Sequence, residues 1–139
     1  MNNFHKINAS AVLKIPIIEN HDQMIKLSGF FSEKNTDQYL RGVVAAKLTK
    51  AQKLLPANIS IKIIEGYRPL SKQIKLFNDY LIKLRKQNPQ LTNKQLHDKA
   101  SLFIAPPINN PPHSTGGAVD LTLINSDGKE LEMGTDLNA

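Results

Sequence analysis

The chain has 139 residues and 40% hydrophobic content, enough for one domain with its own core, and it has no cysteine, which excludes disulfides and thiolate metal sites. Its 18 Lys and Arg against 12 Asp and Glu give a formal charge of +6. The lysines scatter, arginine occurs only at Arg41, Arg68 and Arg85, and aromatics do not alternate with the basic residues, so the charge reads as solvated helix faces and not as a nucleic-acid stripe.

No apolar run approaches the roughly 20 residues needed to span a bilayer. Met1 to Leu13 carries Asn2, Asn3, His5 and Lys6 where a secretory signal would have an uninterrupted apolar stretch, so the cytoplasm is the expected compartment. Pro16 interrupts the apolar run from Val12 to Ile18, and Gly29-Phe30-Phe31 is expected to be extended with its aromatics partly buried. From Asp37 to Leu55 the residues Leu40, Val43, Val44, Leu48, Ala51, Leu54 and Leu55 recur at helical spacing, with Lys47, Lys50 and Lys53 outside. Asn35 or Thr36 would cap this helix, and Pro56 would stop it.

Ile59 to Ile64 alternates strictly and is β-branched, the pattern of a half-buried strand running into Glu65-Gly66-Tyr67-Arg68-Pro69. Ser71 is expected to cap a second helix with Ile74, Phe77, Leu81 and Leu84 on its apolar face. Thr92 and Gln95 form a capping-box pattern for a short helix through Leu102. Ala105 to Pro112 holds four prolines, too rigid and too poor in donors for helix or central strand. Ala118 to Ile124 then reads as a strand, with Val119, Leu121 and Leu123 on one side and Ala118, Asp120 and Thr122 on the other. Asn125 to Gly128 is a hairpin turn, and Lys129 to Met133 the return strand. These elements predict an α+β fold with a mostly antiparallel sheet and flanking helices, as a single domain over 1–139.

Chemistry concentrates in two segments. In Pro112-His113-Ser114-Thr115-Gly116-Gly117-Ala118-Val119-Asp120, paired glycines let the chain fold back so that an imidazole and a carboxylate can meet, and both are good zinc ligands. The same residues also admit a structural role, His113 capping its loop and Asp120 bonding a neighbouring strand. In Glu65-Gly66-Tyr67-Arg68-Pro69, a guanidinium at a strand end could donate to an oxyanion, or could serve only as an ion-pair partner of Glu65.

Taken together, Glu-Gly-Tyr-Arg-Pro at a strand end, His-Ser-Thr-Gly-Gly-Ala-Val-Asp-Leu-Thr-Leu downstream and Met133-Gly134-Thr135 after a hairpin resemble the D-alanyl-D-alanine dipeptidases, from about Tyr39 to the C-terminus. The wider clan, with D,D-carboxypeptidases and hedgehog-type domains, shares the His/Asp pattern. The resemblance implies one Zn²⁺ ion with His113 and Asp120 as two ligands. It implies Arg68 as transition-state stabiliser, and a small peptide such as D-Ala-D-Ala as substrate in peptidoglycan metabolism. Glu65 stands where many relatives carry aspartate, Asn138 where several have aspartate near the substrate's amino group, and Pro111 where some have serine. Tyr67 and Ser114 are expected to shape the loops.

The Glu-x-x-His segment that gives this family its general base and third zinc ligand has no counterpart here, and His5, His21 and His97 match no ligand position. The fold is therefore expected to lack its C-terminal part, with a separate C-terminal fragment as a conceivable completing partner. Two ligands without a base imply slow hydrolysis or none, because a catalytic zinc takes three protein ligands and needs a proton acceptor. The alternatives are a non-catalytic remnant or D-Ala-peptide-binding fragment, and a D,D-carboxypeptidase of the same clan. Neither nucleic acid nor a membrane is expected as a partner.

Overall fold

A computed structural model of the chain describes residues 15–32, 37–108 and 110–135. In chain order the elements are β1 (Met24–Lys26), β2 (Phe31–Ser32), β3 (Tyr39–Arg41), α1 (Gly42–Leu54), β4 (Ile59–Glu65), α2 (Leu70–Gln87), α3 (Asn93–Ala100), a 3-10 turn (Pro112–Thr115) and β5 (Asp120–Asn125). The α+β class is as expected. Antiparallel pairing dominates, joining β1 to β3 and β4 to β5, while the two-residue β2 lies parallel to β4.

Strand β4 centres the larger sheet, because alternation sends Ile61 and Ile63 to the same face, where both are almost wholly buried. They pack with Leu40, Ala45 and Leu48, and with the half-buried Val119 and Leu123 of the next strand and its approach. A second core joins α2 to α3 through Phe77, Leu84, Leu96 and Ala100. The Thr92–Gln95 capping box forms as the sequence predicts. No helix among the described residues is long and apolar enough to cross a membrane.

Several boundaries move. The first helix begins at Gly42, since Tyr39 to Arg41 is drawn into strand pairing with β1. Asn35 and Thr36 lie outside the described residues. Its cap comes from far away: the Asp22 carboxylate accepts the Val43 N–H at 2.8 Å, and the Gln23 carbonyl accepts that of Gly42 at 2.9 Å. The helix also turns further than its apolar spacing suggests, leaving Val43 and Leu54 exposed and Ala51 outside. Gln52 faces inward instead, bonding both the N–H of Ile61 and the carbonyl of Ile59. Phe30 packs on the core while Phe31 stays 58% exposed.

Ser71 is not the cap of α2, because Pro69 already holds the extended N-cap conformation (φ −51°, ψ 141°). Ile74 is half-exposed, and Gln73 takes its place in the buried stripe. Strand β5 starts at Asp120 and not at Ala118, for the ladder ends where β4 does. The expected return strand shrinks to a bridge between Glu130 and Ile124, with flanking bonds Asn125 N–H to Lys129 O and Leu131 N–H to Leu123 O. Beyond it the Glu132 carboxylate captures the Gly134 N–H and turns the chain away.

Replacing Asp22 by Ala should cost about 1 kcal/mol, the usual worth of an N-cap acceptor. Urea denaturation of Asp22→Ala and Asp22→Ser tests this, with serine expected to restore part of the loss; an unchanged midpoint for alanine would show that the remote cap does not hold α1.

Candidate metal centre

The Glu65-to-Pro69 segment leaves the end of β4 through an irregularity in the ladder. Ile63 pairs with Leu121, but Glu65 and not Ile64 lies opposite Asp120. An extra residue of this kind re-aims the side chains at a strand end, and here it brings Glu65 and Asp120 to the same point of the sheet. Gly66 comes next because nothing larger fits: an added Cβ would lie 2.6 Å from the Tyr39 carbonyl oxygen. That close approach lets the Gly66 N–H reach the Gln38 side chain and the Tyr67 N–H reach the Tyr39 carbonyl.

The 3-10 turn carrying His113 is fastened to this segment twice. The Arg68 N–H donates to the His113 carbonyl at 3.1 Å, and His113 Nδ1 lies 2.9 Å from the Gly66 carbonyl. A carbonyl only accepts, so Nδ1 carries the proton and Nε2 is left to face the site. Gly116 then reverses the chain with φ +73°, and Gly117 needs no such conformation. The strand that follows delivers Asp120, whose Oδ2 stands 3.4 Å from His113 Nε2.

This separation bears on metal binding. Zinc bonds imidazole nitrogen at about 2.0–2.1 Å and carboxylate oxygen at about 2.0–2.2 Å, so two ligands of one tetrahedral ion lie roughly 3.4 Å apart. In the neutral ring, moreover, the Nε2 lone pair faces a carboxylate oxygen, two acceptors in need of a proton or a metal cation between them. The pair thus fits two positions of a zinc site. No group of three His, Cys, Asp or Glu side chains able to hold a metal occurs among the described residues.

Arg68 is more enclosed than a surface ion-pair partner, with a side chain 13% exposed. Its Nε donates to Glu65 Oε1 at 3.0 Å, its Nη2 to Glu65 Oε2, and its Nη1 to Gln73 Oε1 at 2.7 Å. The paired guanidinium, helped by Lys72, pulls the Glu65 carboxyl down from 4.5 to about 2. Glu65, with a smaller contribution from Asp120, raises the pKa of Arg68. Glutamate at this position therefore grips the arginine with both oxygens.

Gln73 was not foreseen as part of the site. It is buried to 1% exposure and donates its Nε2–H to the Ala105 carbonyl at 2.6 Å, tying Arg68 to the start of the proline-rich loop. The available signal was an amide on the apolar stripe of an amphipathic helix, one turn before Phe77. Tyr67 lines an open pocket with Met24, Tyr39 and Pro69. Ser114 Oγ is buried without a hydrogen-bond partner among the described residues. Asn138 lies outside the described residues. His97, expected to be a solvated helix residue, is instead half-buried, its ring edging against Phe77 at 5.1 Å.

No protein-family model matches the chain. A curated relative, a D-alanyl-D-alanine dipeptidase of Synechocystis sp., is 28% identical over 110 residues, covering 71% of this chain and 44% of the relative. Two solved structures share the fold at 20% identity, each match covering 77% of this chain. One is a mutant of the vancomycin-resistance D,D-pentapeptidase VanY from a VanB-type cassette in complex with Zn(II) (TM-score 0.56, 56% of that chain), the other VanYB in complex with D-Alanine-D-Alanine (TM-score 0.58, 55% of that chain). The chain thus spans about half the length of these relatives. Over the matched residues the chain is thus similar in sequence to a D-alanyl-D-alanine dipeptidase and shares its fold with two VanY D,D-peptidase structures.

Proposed function

We propose that His113 and Asp120 are two ligands of a zinc site for hydrolysis of peptides ending in D-Ala-D-Ala, in cell-wall metabolism. The observation that carries the proposal is the facing of His113 Nε2 and Asp120 Oδ2 at 3.4 Å, beside an arginine held by Glu65 and Gln73. His113 and Asp120 would hold the metal, which supplies Lewis-acid polarisation of the scissile carbonyl when bound. Arg68 is the group for the developing oxyanion, because its charge is fixed before substrate arrives and needs no reorganisation during reaction. The curated dipeptidase supports the dipeptide as substrate, and VanYB in complex with D-Alanine-D-Alanine supports the same peptide class.

With His113 and Asp120 as the donors found among the described residues, and three the usual number, Zn²⁺ would be held weakly and turnover would be slow. His113→Ala and Asp120→Ala are each expected to lower Zn²⁺ affinity at least tenfold in calorimetric titration. Affinities within twofold of the parent would remove both residues from the site. Incubation with zinc and either D-Ala-D-Ala or a pentapeptide ending in it, with released D-alanine measured, separates dipeptidase from carboxypeptidase action. Turnover matching a complete relative would show that the two-donor account is wrong.

The Glu65–Arg68 pair makes a separate prediction. A carboxyl held at about 2 in the fold, against an ordinary 4.5, contributes stability that is complete above about pH 4.5 and is lost as pH falls towards 2. Glu65→Gln should be less stable at neutral pH, and its stability should change less across that acid window. Denaturant midpoints from pH 2 to 7 test this; parallel curves for the two proteins would show that the pair does not couple to folding.

A further inference from the structure

We propose that Arg41, on the far side of the ligand loop from Arg68, is a positioning residue that fixes His113 and Asp120 at metal-binding separation. The proposal rests on the metal reading of that pair. Arg41 is the last residue of β3 and joins the loop between the two donors at consecutive carbonyls: its backbone N–H donates to Gly116 O at 2.9 Å, and its side-chain Nε to Thr115 O at 2.9 Å. The rest of the guanidinium is committed elsewhere. Nη1 donates to the Asp22 carbonyl at 2.6 Å and to Glu19 Oε1 at 3.0 Å, and Nη2 to Glu19 Oε2 at 2.9 Å.

The geometry explains why this matters for the donors. Thr115 and Gly116 lie two and three residues after His113, and the Gly116 N–H bonds the His113 carbonyl. Gly116 is also the residue at which the chain reverses. On one side the turn is tied to Gly66 and Arg68; on the other, Arg41 holds it. Met24 packs against Gly116 on that same side, so a side chain at Gly116 would collide with its sulfur. Without the Arg41 side chain the loop would keep its backbone bond to Arg41 and its attachment to Gly66 and Arg68 but lose the hold on the Thr115 carbonyl, loosening the stretch that sets the distance between His113 and Asp120. Lysine cannot replace this contact, because a single ammonium lacks the planar fork that reaches Thr115, Asp22 and Glu19 together.

The experiment compares Arg41→Ala and Arg41→Lys with the parent in zinc titrations at a temperature where all are folded. Leu96→Val, in the distant second core, serves as a control for general destabilisation. Groups that orient metal ligands usually change affinity by about 10–100-fold, so Arg41→Ala should lose at least tenfold, Arg41→Lys should recover little, and Leu96→Val should stay at the parent value. In metal-free protein, the Nδ1-bound proton of His113 should exchange with water at least tenfold faster in both Arg41 variants by NMR. Should alanine prevent folding, lysine carries both measurements. Zinc affinity and proton exchange within twofold of the parent, or an equal loss in Leu96→Val, would overturn the proposal. His113→Ala in the same titration keeps the two questions apart: if it binds zinc like the parent, the metal site itself is misassigned, whereas loss there with unchanged Arg41 variants removes only Arg41.

Discussion

Everything around the candidate site depends on the double attachment of His113 to the segment from Gly66 to Arg68. One bond uses the histidine's carbonyl and the other its ring nitrogen, so main chain and side chain are fixed by the same partner. The consequence reaches three residues. The imidazole tautomer is set, Arg68 begins its side chain from a fixed backbone position, and the loop must close back towards Asp120. Two short-range constraints make the attachment possible: Gly66 permits contact with the Tyr39 carbonyl, and Gly116 adopts the left-handed reversal.

The charges around this point form an ordered set. A bare guanidinium beside a divalent cation would be repelled, yet Asp120 contributes to the field that holds Arg68 charged. Glu65 resolves the conflict by offsetting the arginine's charge with both oxygens while fixing its direction. Gln73 holds the remaining edge of the guanidinium without adding charge. Arg68 can therefore stand near a cation and still present hydrogen-bond donors to an oxygen that becomes negative.

Local patterning made much of this legible from the residues alone. Alternation fixed β4 and a capping box fixed α3, whereas His113, Asp120 and Arg68 were singled out by the resemblance of their motifs to a family, and the structure sets His113 against Asp120 and Arg68 against Glu65. What was not legible depends on long-range contact. Periodicity could not reveal that Tyr39 to Arg41 would pair with β1, nor that Asp22 would cap α1 from 21 residues away. The roles of Gln73 and Arg41 were hidden for the same reason: each has an ordinary polar side chain locally, and its partners lie in other parts of the chain. The return strand after Gly128 failed because strand propensity does not count the bonds available, and Glu132 diverts the chain first.

The same reasoning separates geometry from activity at this site. The His113–Asp120 distance, the imidazole tautomer and the arginine clamp are all determined by contacts within the described residues. Metal affinity is not, because it depends on the number of ligands as well as their placement. A preorganised pair lowers the entropic cost of binding an ion but cannot replace the electron donation of a third ligand. The pair therefore has the separation that two ligands of one tetrahedral ion require, and metal binding or reaction there would further need a third donor and a proton acceptor on the open side of the pair.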